Sequence, residues 1–362
     1  MKPHYPILDG LRGVAALLVV AFHVFEAHQP DYALQPLHHG YLAVDFFFLL
    51  SGFVVGYAYD ERWARMSSWD FFKIRLARLH PLILLSVVIG ALGFWLDPFL
   101  PADRHIGLAK LLGVALLSLT LLPAPDLRGW GETHSLNGPL WSLLQEYLAN
   151  LLYALLGRKL SRGGLWALVL LSAAALTVAA VRRGNVATGW SYDTLWFAVV
   201  RMMYPFFAGL LLLRSGRLLR IPAAFPVCSL LLTALFCLPY FPLNGLYEAA
   251  CIILAFPLIV ALGAGGQVGG AGARVCKALA DLSYPLYITH YPLIYIYTGW
   301  VATAKPTPRQ ALPVAAALLA VALLLAYAAL RIYDEPVRAW LMRKMGLKAA
   351  APRPEAPAPV TV

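Results

Sequence analysis

Two side chains near the start of the sequence carry its first chemical signal. Arg12 and His23 stand eleven residues apart in a run that is otherwise almost wholly apolar, Leu11 to Phe22. At 3.6 residues per turn, an eleven-residue step returns to within ~20° of the same helical face, and it separates the two side chains by ~16 Å along the axis. One stripe of one helix therefore presents a permanent cation near one end and a titratable imidazole deeper in. An imidazole with a reference pKa near ~6.5 accepts and returns protons at neutral pH, or takes up an acyl group as a nucleophile. Each residue alone also has a plainer reading, as a snorkelling arginine and as a hydrogen-bonded interior histidine.

Four more segments place polar groups in apolar surroundings. In Tyr41–Phe53, Asp45 and Gly52 are seven apart and share a helical face, while Gly52 and Gly56 make a small-xxx-small pair that permits close packing. Arg75 and Arg78 share a face just before His80 and Pro81; their planar forks suit phosphates, and lipid headgroup contact is the alternative. Ser142, Glu146 and Asn150 fall at i, i+4 and i+8 after Trp141, a polar stripe on an apolar helix. A buried carboxylate there needs a partner, and His23 or an arginine would serve. Ser283, Tyr287 and His290 line one face at i, i+4 and i+7, which suits a sugar-like acceptor, a proton relay or an aromatic interfacial belt.

Ionisable groups inside apolar runs are expensive and face a protein or water-filled interior. The elements that hold them are membrane spans. Of 362 residues 60% are hydrophobic and 13% charged, about half the roughly 25% charge of a soluble domain, and the mean hydropathy is +0.69. Apolar runs fall at 11–28, 41–59, 80–96, 108–122, 140–157, 165–181, 194–213, 224–241, 246–263, 283–301 and 312–333. A span needs about 20 apolar residues, so the expected fold is all-α, a polytopic transmembrane bundle. Arg62, Arg65, Lys73, Arg75 and Arg78 mark one cytoplasmic loop, and Arg338, Arg343, Lys344 and Lys348 a cytoplasmic tail. Eleven spans would put that tail outside. Treating 108–122 as re-entrant or interfacial leaves ten spans with both termini cytoplasmic. Residues 1–345 form the expected membrane domain and 346–362 a disordered Pro/Ala-rich tail.

The net charge of +11 follows from those loops and is not a nucleic-acid signature. Cys228, Cys237, Cys251 and Cys276 show no metal-ligand spacing and read as packing residues. No metal is expected. The first run lacks a small-residue cleavage site and is read as part of the mature chain.

Together these segments resemble the membrane-bound acyltransferase family 3, which includes bacterial O-acetyltransferases of lipopolysaccharide, exopolysaccharide and nodulation factors. The resemblance rests on six blocks in family order: Arg12 and His23 in an LDGLRGxAA-type helix, Val44–Phe53, Arg75–Pro81, Trp141–Glu146, Ser283–His290, and Glu335-Pro336 with Arg338. Two departures stand out: the arginine block is sparse, and His80 replaces a more usual aliphatic residue.

The resemblance implies an enzyme of the bacterial cytoplasmic (inner) membrane. It would move an acyl group, most often acetyl, from cytoplasmic acyl-CoA to a hydroxyl of a carbohydrate or glycolipid. Arg12, Arg75 and Arg78 would hold the donor. His23, with Arg12 and Glu146, would carry the chemistry, with Glu146 or Asp45 orienting the imidazole. Asp45, Ser51, Trp141, Ser142, Tyr284, Tyr287 and His290 would meet the acceptor. Two rival classes use similar residues: a transporter or flippase of a lipid-linked saccharide, and a glycosyltransferase with a catalytic carboxylate on an outer loop.

Overall fold

A computed structural model describes residues 4–347; the expected disordered tail lies outside the described residues from position 348 onward. The described chain is helical, and its one isolated β-bridge joins Glu132 to Ser191. In chain order the helices are α1 (Pro6–His28), α2 (Ala43–Tyr59), α3 (Ser68–Trp95), α4 (Leu108–Ser118), α5 (Leu140–Leu152), α6 (Arg162–Arg183) and α7 (Leu195–Ser215). There follow α8 (Ala224–Cys237), α9 (Asn244–Ala250), α10 (Phe256–Gly265), α11 (Gly270–Thr289), α12 (Tyr291–Ala304), α13 (Pro308–Ala328) and α14 (Glu335–Lys344).

Among the described residues, seven helical stretches are long and apolar enough to cross a bilayer: Pro6–His28, Gly40–Arg65, Ser68–Trp95, Arg162–Arg183, Tyr192–Ser215, Asn244–Gly265 and Pro308–Lys344. The other expected spans are shorter or broken. Helix α4 has 11 residues and reaches only about 17 Å, roughly half the hydrocarbon thickness. The run expected as one element at 283–301 divides at His290: α11 ends, Pro292 cannot continue its hydrogen-bond ladder, and α12 begins.

Apolar side chains on α6, α8 and α13 point outward, Leu170, Leu171, Leu230, Leu312 and Leu324 among them, as lipid-facing surfaces do. Lipid tails are as apolar as leucine, so close packing rather than water exclusion holds such helices together. Two crossings show how. A Cβ on Gly52 of α2 would land on the Phe206 carbonyl of α7, and one on Gly209 of α7 would land on the Leu49 carbonyl of α2. On α1, a Cβ at Gly13 would strike Leu279 of α11, and at Gly10 it would strike Cys276. The glycines thus bring α2 against α7 and α1 against α11 in near backbone contact, and these helices carry many of the polar side chains described next.

Candidate active site

At one end of the bundle is a cavity of about 550 Å³ with a cationic floor. Helix α1 places Arg12 there, its Nε donating to Ser283 Oγ at 3.0 Å and its Nη2 3.2 Å from Asp9. Helix α3 presents Arg75 and Arg78 one turn apart. Arg75 is buried and donates to Glu146 Oε1 at 2.6 Å, an oxygen that also accepts from Ser51 at 2.6 Å and Asn150 at 3.1 Å. Among the described residues no carboxylate lies within ion-pair distance of Arg78. Lys277 and Arg338 add two further cations to the lining, and Phe47, Phe48 and Val54 give the cavity an apolar wall.

Toward the opposite end of the bundle a second cavity, about 350 Å³, contains His23. An Nδ1–H of His23 donates to Glu26 Oε2 at 2.6 Å, and the Tyr32 hydroxyl donates to Glu26 Oε1 at 2.9 Å. With Nδ1 so engaged, Nε2 is left as the basic nitrogen. The ring is packed edge-on to Tyr291, with centroids 4.7 Å apart, and stacked on His290 at 5.6 Å. His290 is itself fixed, its Nδ1–H donating to the carbonyls of Leu286 and Tyr287 at 3.1 and 2.9 Å. Trp130, Trp141, Trp190, Tyr41, Glu132 and Arg201 complete much of the wall.

The two cavities share a boundary. Val44 and Tyr287 line both. Tyr287 is held there by a 2.7 Å hydrogen bond between its hydroxyl and Ser142, and by Phe47 packed edge-on with centroids 5.3 Å apart. Arg12 and His23 thus face separate cavities that adjoin at Val44 and Tyr287.

The expected site residues divide between these spaces. Ser51, Ser142, Glu146 and Tyr284 line the Arg12 cavity with Arg75 and Arg78; Trp141 lines the His23 cavity, and His290 lies behind the imidazole. Two expectations are corrected. Glu146 does not orient His23, because Arg75 and Ser51 take its carboxylate in the other cavity. Asp45 does not either: it is fully buried, lines neither cavity, and is bonded by both Nε and Nη2 of Arg201, at 3.1 and 2.5 Å. The sequence reading missed Glu26 and Arg201. Glu26 was detectable by its i, i+3 spacing from His23, and Arg201 as an arginine inside the apolar run 194–213.

The loop between α4 and α5 covers the His23 end. Arg128 ties it down, 3.2 Å from Asp97 and 3.8 Å above the Tyr295 ring, while Tyr295 donates to Glu132 Oε2 at 2.5 Å. Burial pushes the Glu132 carboxyl up to about 8, outweighing that hydrogen bond and nearby Arg128. Burial also lowers His134 in the same loop to about 4.

An all-helical membrane protein with a histidine–carboxylate pair in one cavity and a cluster of arginines in the adjoining one has a layout that suits a group-transfer enzyme. The comparisons with known proteins give the group. The chain matches the acyltransferase 3 family, described as an acyltransferase domain, over residues 5–331, and it belongs to that family. It is an acyltransferase. It is 32% identical over 319 residues to the acyltransferase MdmB of Streptomyces mycarofaciens, covering 80% of this chain and 79% of that one. Protein 2 in the picA locus of Rhizobium radiobacter is 34% identical over 183 residues, 48% of this chain and 93% of that one. The peptidoglycan O-acetyltransferase OatA of Listeria monocytogenes is 22% identical over 364 residues, 93% of this chain and 56% of that longer protein. No solved structure matches.

Proposed function

We propose that the protein transfers an acyl group, acetyl in the simplest case, from cytoplasmic acyl-CoA to a hydroxyl of a carbohydrate or glycolipid acceptor. It does so in the bacterial cytoplasmic membrane with both termini on the cytoplasmic side. The observation that carries this reading is the shared lining of the two cavities at Val44 and Tyr287. The nucleotide phosphates sit among Arg12, Arg75 and Arg78, where planar guanidinium groups suit them. The thin pantetheine arm follows α1 across the Val44–Tyr287 boundary and brings the thioester to His23. The acceptor enters the aromatic-walled cavity from the other side, against Trp141 and Tyr287. The O-acetyl transfer in the Listeria relative's name favours a hydroxyl acceptor and a short acyl group.

His23 Nε2 takes the proton of the acceptor hydroxyl as its oxygen bonds to the thioester carbon, and the carbonyl electron pair moves onto oxygen. Collapse of that intermediate breaks the carbon–sulfur bond, and the thiolate leaves with the proton from the imidazolium. Glu26 stabilises the imidazolium in between, as a triad carboxylate does.

The test uses the purified protein in proteoliposomes with radiolabelled acetyl-CoA and glycan extracts as acceptor. Label in the glycan, lost in His23→Ala at equal protein level, supports the reading. Label moved without a new ester bond would make the protein a carrier instead. Mass spectrometry of surface glycans from cells with and without the protein would identify the acceptor.

A further inference from the structure

The intermediate just described places negative charge on what was the thioester oxygen, and the two residues expected to act at that point, His23 and Glu26, offer it nothing. A transferase gains most from a donor already fixed where that charge develops. Arg201 is such a group. It comes from α7, is 1% exposed to solvent, and lines the His23 cavity. Four hydrogen bonds hold its guanidinium: Nε and Nη2 to the two Asp45 oxygens, Nη2 to the Tyr41 carbonyl at 3.0 Å, and Nη1 to the Thr188 carbonyl at 2.8 Å. An arginine has five N–H groups, so this set leaves capacity for one more acceptor. The guanidinium carbon also lies 5.3 Å from the centre of the Trp141 ring, which lines the same cavity.

Its place beside the boundary of the two cavities matters as much as its rigidity. Asp45, which holds it, follows Val44, one of the two boundary residues, and Trp141, whose ring it lies over, precedes Ser142, which holds Tyr287, the other. A thioester crossing that boundary toward His23 would enter the cavity whose wall holds this guanidinium.

We propose that Arg201 is a catalytic residue, its remaining N–H donating to the oxyanion of the tetrahedral intermediate, with Asp45 positioning it. The proposal rests on the reading of His23 as the base. A purely structural ion pair between α2 and α7 makes a different prediction, because it damages the protein alike from either side. The oxyanion role is asymmetric. Asp45→Asn strands the buried guanidinium and should lower the melting temperature, but in the folded protein the guanidinium keeps the Tyr41 and Thr188 carbonyls and an amide oxygen, so the donor stays close to its place and kcat per folded molecule is largely kept.

The experiment compares Asp45→Asn, the neutral double variant Asp45→Asn/Arg201→Gln, and Arg201→Lys, in detergent-purified protein checked by size exclusion and thermal unfolding. Acetyl transfer and CoA release are followed at saturating acceptor. The double variant is expected to lose about 10²–10³ in kcat with the KM for acetyl-CoA unchanged. Asp45→Asn should lose less than about tenfold. If the double variant does not fold, Arg201→Lys carries the test: its compact ammonium cannot reproduce the fork, and kcat should fall at least about tenfold, again at constant KM. Folded Arg201 variants with wild-type kcat, or a loss in Asp45→Asn equal to that in the double variant, would overturn the proposal. His23→Ala, run alongside, separates the outcomes. If it keeps its activity the base assignment falls, whereas Arg201 variants that stay active beside a dead His23→Ala remove the oxyanion role alone.

Discussion

His23 and Glu26 meet across one turn of α1, Nδ1 to Oε2 at 2.6 Å, and the Tyr32 hydroxyl holds the second carboxylate oxygen. A carboxylate at that position selects the tautomer whose Nε2 is basic and stabilises the imidazolium once it forms. Glu26→Gln keeps the shape and removes the charge. Its kcat is expected to fall by about 10²–10⁴, the usual range for general-base support, with the KM for acyl-CoA unchanged because Arg12, in the proposed donor site, lies ~16 Å away along α1. Steady-state kinetics at wild-type kcat would show the pair to be incidental.

Arg75 and Arg78 share a helical face but have different surroundings, and their alanine variants should separate. Removing Arg78 takes away a cation with no carboxylate at ion-pair distance among the described residues, so the expected effect is a higher KM for acyl-CoA and little change in stability. Removing Arg75 strands Glu146, which is joined to it at 2.6 Å. A stranded, largely buried charge costs about 3–5 kcal/mol, so Arg75→Ala should unfold at markedly lower temperature. Thermal unfolding and donor titration of the two variants check both arms.

The parts of the site legible in the sequence are those set by helical periodicity. Arg12 and His23 were placed on one face by their spacing, and the Ser142–Glu146–Asn150 stripe by its four-residue step. What periodicity cannot supply is the partner across the bundle. Asp45 and Arg201 are 156 positions apart and meet only because α2 and α7 cross at Gly52 and Gly209. The same limit misassigned Glu146, whose need for a cation was readable but not which cation met it. The break at His290 went unread because the apolar run continues through it, although Pro292 signals a helix start as readily as an interruption.

The α2–α7 crossing can be tested without touching the polar groups. Gly52→Ala puts a methyl group onto the Phe206 carbonyl oxygen, far inside van der Waals contact with backbone that cannot swing aside, and the helices must part by about an ångström or more. Overpacking of this kind costs about 1–3 kcal/mol. Gly113→Ala on α4 meets no atom within 4 Å and should be neutral or stabilising by up to about 1 kcal/mol, the helix-propensity gain. Equal melting temperatures for the two variants would contradict the packing described.

Glu132 gives the loop over the His23 cavity a pH dependence with a definite sign. Burial raises its carboxyl to about 8, against roughly 4.3 in an unfolded chain. Between those values the unfolded chain has released a proton that the fold retains, so stability from this residue is greatest below pH ~4 and declines as pH rises to about 8, beyond which it is level. Glu132→Gln removes the titration while leaving an oxygen to accept from Tyr295. Its melting temperature relative to wild type should therefore climb steadily from pH 5 to pH 8 and then stop climbing. A difference that stays constant over that interval would mean the carboxylate is already ionised in the fold, with Arg128 rather than a proton neutralising it.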